Sequence, residues 1–158
     1  MAGASSAAAQ WQIVQDARVG AARTVDVAYV ENDQGDVLQV YRDPNGTIRG
    51  TLAIGGGFER LATEFCPSYR VDERPPGKLR SEEGECRIEP QRAHFALGEV
   101  RRGRVRSSLL IELMNGSRVV FRYRLAPPLG YQESTFTLSG SRGALQAALG
   151  PNLSVVPR

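Results

Sequence analysis

At 158 residues, with 41% hydrophobic side chains, the chain has the length and composition of one globular domain with its own core. It contains no run of about 18 apolar residues, so the sequence predicts no membrane-spanning helix. The net charge of +3 conceals an uneven distribution, because residues 1–86 carry 13 acidic and 9 basic side chains, whereas residues 87–124 carry nine arginines against three glutamates. Such a basic block can face nucleic acid, acidic lipid or an acidic protein, or simply form the solvent faces of strands.

The first ten residues, MAGASSAAAQ, are expected to stay outside the fold. Ala7-Ala8-Ala9 followed by Gln10 is a small-x-small pattern of the kind that signal peptidases cut. We therefore expect residues 1–10 to be the remnant of a secretory signal, and the alternative is an ordinary disordered start. Residues 11–158 are expected to form a single domain.

Short alternating runs separated by turn residues predict antiparallel β structure in the first part of the chain. The predicted elements are strands at 11–16 and 24–30, a turn at 32–35, a hairpin of 36–43 and 47–54, a joint at 55–57, and a strand or helical turn at 58–65. The hairpin turn, Asp43-Pro44-Asn45-Gly46, has proline at its first corner and glycine at the left-handed position of a type I turn with a bulge. This register pairs Leu38 with Leu52.

The stretch 109–125, LLIELMNGSRVVFRYRL, predicts a second hairpin, because two apolar runs flank Asn115-Gly116. A two-residue turn would mix apolar side chains and arginines on one face, which could not be buried. A three-residue loop with Gly116 in the left-handed conformation gives an apolar face instead. That face comprises Leu109, Ile111, Leu113, Val119, Phe121, Tyr123 and Leu125. The expected cross-strand pairs are Ile111 with Val119 and Leu109 with Phe121.

Residues 66–89 are expected to be irregular, because they contain Pro67, Pro75-Pro76-Gly77 and an acidic run at 81–85. Further strands are predicted at 87–99, 104–113, 134–138 and, as an edge strand, 152–156. A helix capped by Ser141 is predicted before Gly150-Pro151, with an apolar stripe of Ala144, Leu145, Ala148 and Leu149. The sequence thus predicts an all-β fold, an antiparallel β-sandwich or partly open barrel with one short C-terminal helix.

The two cysteines, Cys66 and Cys86, bracket the region expected to be irregular. In an exported protein they should form a disulfide, which closes about 20 residues and contributes about 3 kcal/mol. In a cytosolic protein they would be two inert thiols. Two cysteines and one histidine at these spacings match no zinc pattern, and a redox couple would need a CxxC motif. We expect no metal and no cofactor.

The only histidine, His94, lies in a predicted strand without a nucleophile motif such as GxSxG. Acidic residues lie mostly in predicted turns, and no acid/base pair can be identified. We therefore expect a structural role for His94, no catalytic residues and no enzymatic activity.

Six arginines are predicted to bind a partner from one basic sheet face. Arg118, Arg122 and Arg124 share the outward face of the predicted central hairpin, and Arg102, Arg104 and Arg106 alternate on the strand before it. Nucleic-acid binding would usually add aromatic side chains to such a face, and Phe121 and Tyr123 are predicted to point the other way. We therefore expect no nucleic-acid partner.

Two segments resemble the invasion-associated locus B family. Residues 134–149, STFTLSGSRGALQAAL, run from a strand through Leu-x-Gly into an Ala/Leu helix, and Trp11-Gln-Ile-Val-Gln-Asp16 is similar to the family's opening tryptophan strand. The resemblance implies a periplasmic or envelope-associated β-sandwich of alphaproteobacteria without enzymatic activity. Gln15 stands where the family usually has a cysteine, so only a Cys66–Cys86 bridge would remain.

The leading interpretation is an exported, non-catalytic β-sandwich domain of the periplasm that binds a protein partner or the cell envelope. One alternative is a cytoplasmic or membrane-peripheral accessory subunit that docks on a larger complex through the arginine face. Another is an RNA-binding β module.

Overall fold

The computed structural model describes residues 10–17, 24–57, 59–79 and 86–158. The first nine residues of the expected signal remnant 1–10 and the acidic run at 81–85 therefore lie outside the described residues. The elements in chain order are β1 Gln12–Asp16, β2 Val25–Glu31, β3 Val37–Arg42, β4 Thr47–Ala53, β5 Ser68–Val71, β6 Gly77–Lys78, β7 Cys86–Glu89, β8 Arg92–Glu99, β9 Arg104–Arg106, α1 Ser108–Asn115, β10 Arg118–Leu125, β11 Gly130–Thr137, α2 Ser141–Leu149 and β12 Ser154–Val156.

The strands form the β-sandwich that the sequence predicts. The first sheet has the antiparallel order β1-β2-β3-β4-β8-β7, and the second has the antiparallel order β11-β10-β5-β6. Strands β9 and β12 pair in parallel as a separate two-stranded sheet. Buried side chains of both large sheets and both helices form one hydrophobic cluster. The predicted C-terminal helix is present as α2.

Three phenylalanines join the two sheets at the centre of this core. Phe121 of β10 lies 6.3 Å, between ring centroids, from Phe95 of the first sheet and 6.0 Å from Phe136 of β11. Such tilted and edge-on aromatic pairs stabilise a core by about 0.5–1.5 kcal/mol beyond the area they bury. Gly50 leaves room for this contact, because a Cβ atom there would lie 2.5 Å from the Phe95 ring.

The β3–β4 hairpin confirms the prediction made from its turn residues. Leu38 pairs with Leu52, and Gly46 adopts the left-handed conformation with φ 87°. The Asp43 carboxylate accepts hydrogen bonds from the backbone amides of Asn45 and Thr47 at 2.9 and 3.0 Å. Burial alone would raise the pKa of Asp43, but the hydrogen bond from Arg49 and those amides lower it below its usual value. Local side-chain hydrogen bonds therefore specify this turn.

The predicted hairpin at 109–125 is wrong, because its first half is helix α1. Ser107 caps the helix, its hydroxyl accepting from the Leu110 amide at 3.1 Å. Leu109, Leu110 and Leu113 are buried on one face, which is the spacing of a helix and not of a strand. Gly116 has φ −81° and is extended rather than left-handed. It is needed for close packing, since a Cβ atom there would overlap a methyl group of Val71.

The second half of that stretch, β10, therefore has other neighbours than those predicted. Val119 pairs with Phe136 and Val71 instead of Ile111, and Phe121 pairs with Ser134 and Tyr69 instead of Leu109. The alternation within β10 is nevertheless as predicted: Val119, Phe121, Tyr123 and Leu125 are buried.

Four other predictions differ from the structure. Residues 66–89 are not irregular throughout, since β5 is a central strand of the second sheet. In the described part of 58–65 only Leu61 forms a bridge, to Leu125, so no strand is present there. The predicted strand 104–113 ends at Arg106. Ser141 does not cap α2, because the cap position is Gly140, and the Ser141 hydroxyl donates to the Leu113 carbonyl at 2.6 Å.

Three side chains that flank strands of the first sheet contact the edge strand β11 of the second sheet. We call this contact the edge latch and define it as Trp11, Asn32 and Asp36 with Ser134 of β11. The Trp11 indole donates to the Thr137 carbonyl at 2.8 Å, and the Asn32 amide donates to the Ser134 hydroxyl at 2.9 Å and the Thr135 carbonyl at 3.2 Å. Carbonyl groups at the edge of a sheet would otherwise be open to another strand. The latch therefore protects β11 from such pairing.

The centre of the edge latch is a buried carboxylate. Asp36 is 4% exposed and accepts from the Ser134 hydroxyl at 2.6 Å and the Gly55 amide at 2.8 Å. Burial, with the nearby carboxylates of Asp36 and Glu59, raises the pKa of Tyr123 to about 12. A buried carboxylate is tolerated only when hydrogen bonds satisfy it, so both donors to Asp36 should matter for stability.

The helix assignment of α1 can be tested through its cap. Ser107→Ala should lower the free energy of unfolding by about 1 kcal/mol, because it removes the only side chain that accepts from the first turn. Ser117→Ala, at an exposed position beyond the other end of α1, is the matched control. Chemical denaturation measures both, and equal stability of the two variants would contradict the capping role.

A second prediction concerns the edge latch. Ser134→Ala should cost about 1–3 kcal/mol of unfolding free energy, because the buried Asp36 carboxylate loses a donor that water cannot replace. The exposed Ser139→Ala variant should stay within about 0.5 kcal/mol of the unaltered protein. A Ser134→Ala protein as stable as Ser139→Ala would show that the latch contributes nothing.

Candidate arginine–aromatic binding face

The structure separates the six arginines that the sequence places on one face. Arg104 and Arg106 lie on β9, which pairs with β12, and Arg102 lies in the preceding turn with φ 54°. Strand β10 instead lies between β11 and β5. The predicted adjacency is therefore wrong, and its cause is that the chain enters helix α1 two residues after β9. Arg118, Arg122 and Arg124 remain together on the outward side of β10.

Neighbouring strands add further basic groups to the outward side of β10. Cross-strand partners share a face, so the register places Arg70 of β5 beside Val120 and Ser68 beside Arg122, with Lys78 of β6 next to Ser68. On the other side of β10, Glu133 lies opposite Arg122 and Tyr131 lies opposite Arg124. We define the arginine–aromatic face as Phe65, Arg70, Lys78, Arg118, Arg122, Arg124, Tyr131 and Glu133.

Two exposed aromatic rings support the guanidinium groups of this face. The Arg122 guanidinium lies 4.5 Å from the centroid of the Tyr131 ring. The Arg124 guanidinium lies 4.7 Å from that of Phe65 and 5.7 Å from that of Tyr131. Exposed cation–π contacts of this kind contribute about 0.5–1 kcal/mol each. They hold the planar groups in place while leaving edge N–H donors for another acceptor.

Carboxylates do not neutralise these arginines within the described part of the chain. The ion pairs found there involve Arg49, Arg74, Arg87, Arg101 and His94, and none involves a residue of the arginine–aromatic face. Glu133 is the single acidic member of the face, against five basic ones. An arginine fixed by stacking and lacking a carboxylate partner is suited to bidentate binding of a carboxylate or phosphate.

The aromatic members of the face were missed from the sequence. The predicted strand 134–138 begins too late to include Tyr131, whereas β11 starts at Gly130. A hairpin across 126–129 would have placed Tyr131 opposite Arg124. Phe65 reaches the face because the chain near Leu61 bridges to Leu125 and the Ala62 amide donates to the Arg124 carbonyl at 2.8 Å. No local pattern indicates that long-range contact.

His94 lies away from the arginine–aromatic face, on β8 of the first sheet. Its Nε2 atom is 2.9 Å from Glu89 Oε1, and this hydrogen bond is the main cause that lowers the pKa of Glu89. The pairing gives His94 a structural partner on the adjacent strand β7. Across the described ranges, no group of three or more histidine, cysteine, aspartate or glutamate side chains is placed to hold a metal ion.

Cys66 and Cys86 lie at disulfide distance, with their Cα atoms 6.2 Å apart. Cys66 shortly precedes β5 of the second sheet, and Cys86 is the first residue of β7 in the first sheet. The pair therefore joins the two sheets beside Phe65, and it does so across the segment that was expected to be irregular.

The described helices include none that is long and apolar enough to cross a membrane. No protein-family model matches the chain, and no match is found among curated proteins or solved structures. The resemblance to the invasion-associated locus B family thus stays an expectation based on the two segments described above.

The cysteine pair makes a direct prediction. Alkylation of the denatured, unreduced protein should label no thiol, and reduction should lower the free energy of unfolding by about 3 kcal/mol, since the bond closes about 20 residues. Mass spectrometry counts the labels, and denaturation with and without reductant gives the stability. Two labelled cysteines before reduction would contradict the bridge and weaken the expectation of export.

Proposed function

We propose that this chain is an exported, non-catalytic binding domain of the periplasm that engages an anionic partner through the arginine–aromatic face. The observation that carries the proposal is the pair Arg122 and Arg124, which are stacked on exposed aromatic rings and have no carboxylate partner among the described residues. Here their donors point to a surface that a partner could cover.

Two further observations support the parts of the proposal that concern export and catalysis. A cysteine pair at bonding distance is typical of proteins in oxidising compartments. Two side chains of types that often serve in catalysis are engaged structurally: His94 pairs with Glu89, and Ser134 is fully buried against Asp36. The same basic face would also serve the alternative of an accessory subunit within a larger complex.

RNA remains the other class of anionic partner for this face. The sequence predicted no nucleic-acid partner because the Phe121 and Tyr123 rings would point away from the basic face, and both rings are indeed buried. Tyr131 and Phe65 supply other aromatic rings to the face, but each is already covered on one side by a guanidinium group. Nuclease treatment therefore belongs in the test of the proposal.

The proposal predicts that Arg122→Glu/Arg124→Glu loses binding to the native cell envelope fraction by about tenfold or more, because two attractions become repulsions. Retention of the unaltered protein should fall as salt rises from about 0.05 M to about 0.5 M, since exposed charges become screened. Sedimentation with nuclease-treated envelope measures retention, and circular dichroism checks that each variant is folded.

The matched control is Arg104→Glu/Arg106→Glu, which makes the same change in charge at the same spacing on exposed positions of β9. It should bind as the unaltered protein does. Equal retention of both double variants would refute the arginine–aromatic face as the binding surface, and retention that nuclease abolishes would replace the proposal with RNA binding.

A further inference from the structure

Exposed apolar side chains lie at the end of the arginine–aromatic face where the chain turns from β10 to β11. Leu129 is 59% exposed, Tyr131 55% and Phe65 44%. They are three of the five large hydrophobic side chains that are exposed in the described part of the chain, the others being Ile13 and Val14. An acidic protein could satisfy the arginines without covering these side chains, so their clustering needs a separate explanation.

The backbone of this turn, residues 126–129, has no free N–H donor. The Ala126 amide donates to the Arg60 carbonyl at 2.8 Å, and the Leu129 amide donates to the Ala126 carbonyl at 3.2 Å. Pro127 and Pro128 carry no N–H group. Unpaired N–H groups raise the cost of moving a loop out of water, and the turn does not carry this part of the cost.

The side chains are also ordered along the hairpin in a way that suits a lipid interface. Leu129 lies in the turn, and Tyr131 follows at the first outward position of β11. Arg124 lies opposite Tyr131, and Arg122 lies two residues farther from the turn. Leucine favours the acyl region, aromatic rings favour the headgroup boundary, and guanidinium groups reach phosphates. Each basic residue near an anionic bilayer contributes about 1 kcal/mol of attraction.

We infer that the partner of the arginine–aromatic face is an anionic phospholipid surface, on which the domain docks with the β10–β11 turn at the membrane interface. Leu129, Tyr131 and Phe65 enter the interface, while Arg122 and Arg124 bind lipid phosphates. This inference rests on the proposed function and specifies its partner. Glu133, opposite Arg122, is the acidic member of the face, and its carboxylate repels anionic lipid.

The test uses the full chain and vesicles of phosphatidylcholine with or without phosphatidylglycerol. Binding should require phosphatidylglycerol and should weaken with salt. Leu129→Ser should weaken it roughly tenfold, because burial of a leucine side chain is worth about that factor. Glu133→Gln should strengthen binding. The matched controls, Ile13→Ser at another exposed apolar position and Arg104→Glu/Arg106→Glu, should bind like the unaltered protein.

Insertion of the turn gives a second, independent readout. Tryptophan fluorescence of a Leu129→Trp variant should be quenched by lipids with brominated acyl chains, whereas that of Ile13→Trp should not, with the unaltered protein correcting for Trp11. Equal quenching of both variants, or binding that is indifferent to Leu129→Ser, would overturn the inference.

The two proposals fail differently. If neither vesicle binds but envelope retention still depends on Arg122 and Arg124, the lipid inference is wrong, the binding function stands, and an acidic protein is the partner. If envelope retention also loses its dependence on those arginines, both proposals are wrong.

Discussion

Along β10, neighbouring side chains point to opposite sides of the second sheet, so one strand supplies both core residues and exposed arginines. Phe121, at its centre, contacts Phe95 of the first sheet and Phe136 of β11, which fixes the position of the strand. A shift by one residue would turn the arginines into the core, where unpaired guanidinium groups are very costly. The placement of Arg122 and Arg124 is therefore a consequence of core packing, and a partner need not order the strand on which they lie.

Local turn chemistry explains which hairpin could be predicted and which could not. In the β3–β4 hairpin, Asp43 hydrogen-bonds to its own turn, so the sequence of the turn is sufficient to define it. At Asn115-Gly116 a similar pair of residues ends helix α1. The apolar run before it fits both periods, because Leu109 and Leu113 share a face in either a strand or a helix. The Ser107 cap and the burial of Leu110 identify the run as a helix. Periodicity alone cannot distinguish a strand from a helix in so short an apolar run.

The candidate site was predictable only where it depends on alternation within one strand. The outward direction of Arg118, Arg122 and Arg124 follows from the sequence of β10. The separation of β9 from β10 cannot be predicted from the sequence, because it depends on helix α1 and on a parallel pairing of β9 with β12, which is distant in the chain. The position of Phe65 likewise depends on a bridge between segments more than sixty residues apart, for which propensity and periodicity carry no signal.

The strand order also determines how this chain must assemble. Strands β1 to β4 are consecutive neighbours and can pair by closing short loops, whereas β5 meets β10 only after a long loop is closed, as the Asp72 hydrogen bond to the Ser117 amide, 45 residues away, illustrates. Closing a long loop costs more chain entropy than closing a short one and slows folding. A bond between Cys66, which just precedes β5, and Cys86, which lies within that loop, would shorten the path from β5 to β10. Oxidation before the second sheet forms would thus act as a kinetic aid to folding, distinct from its contribution to the stability of the finished domain.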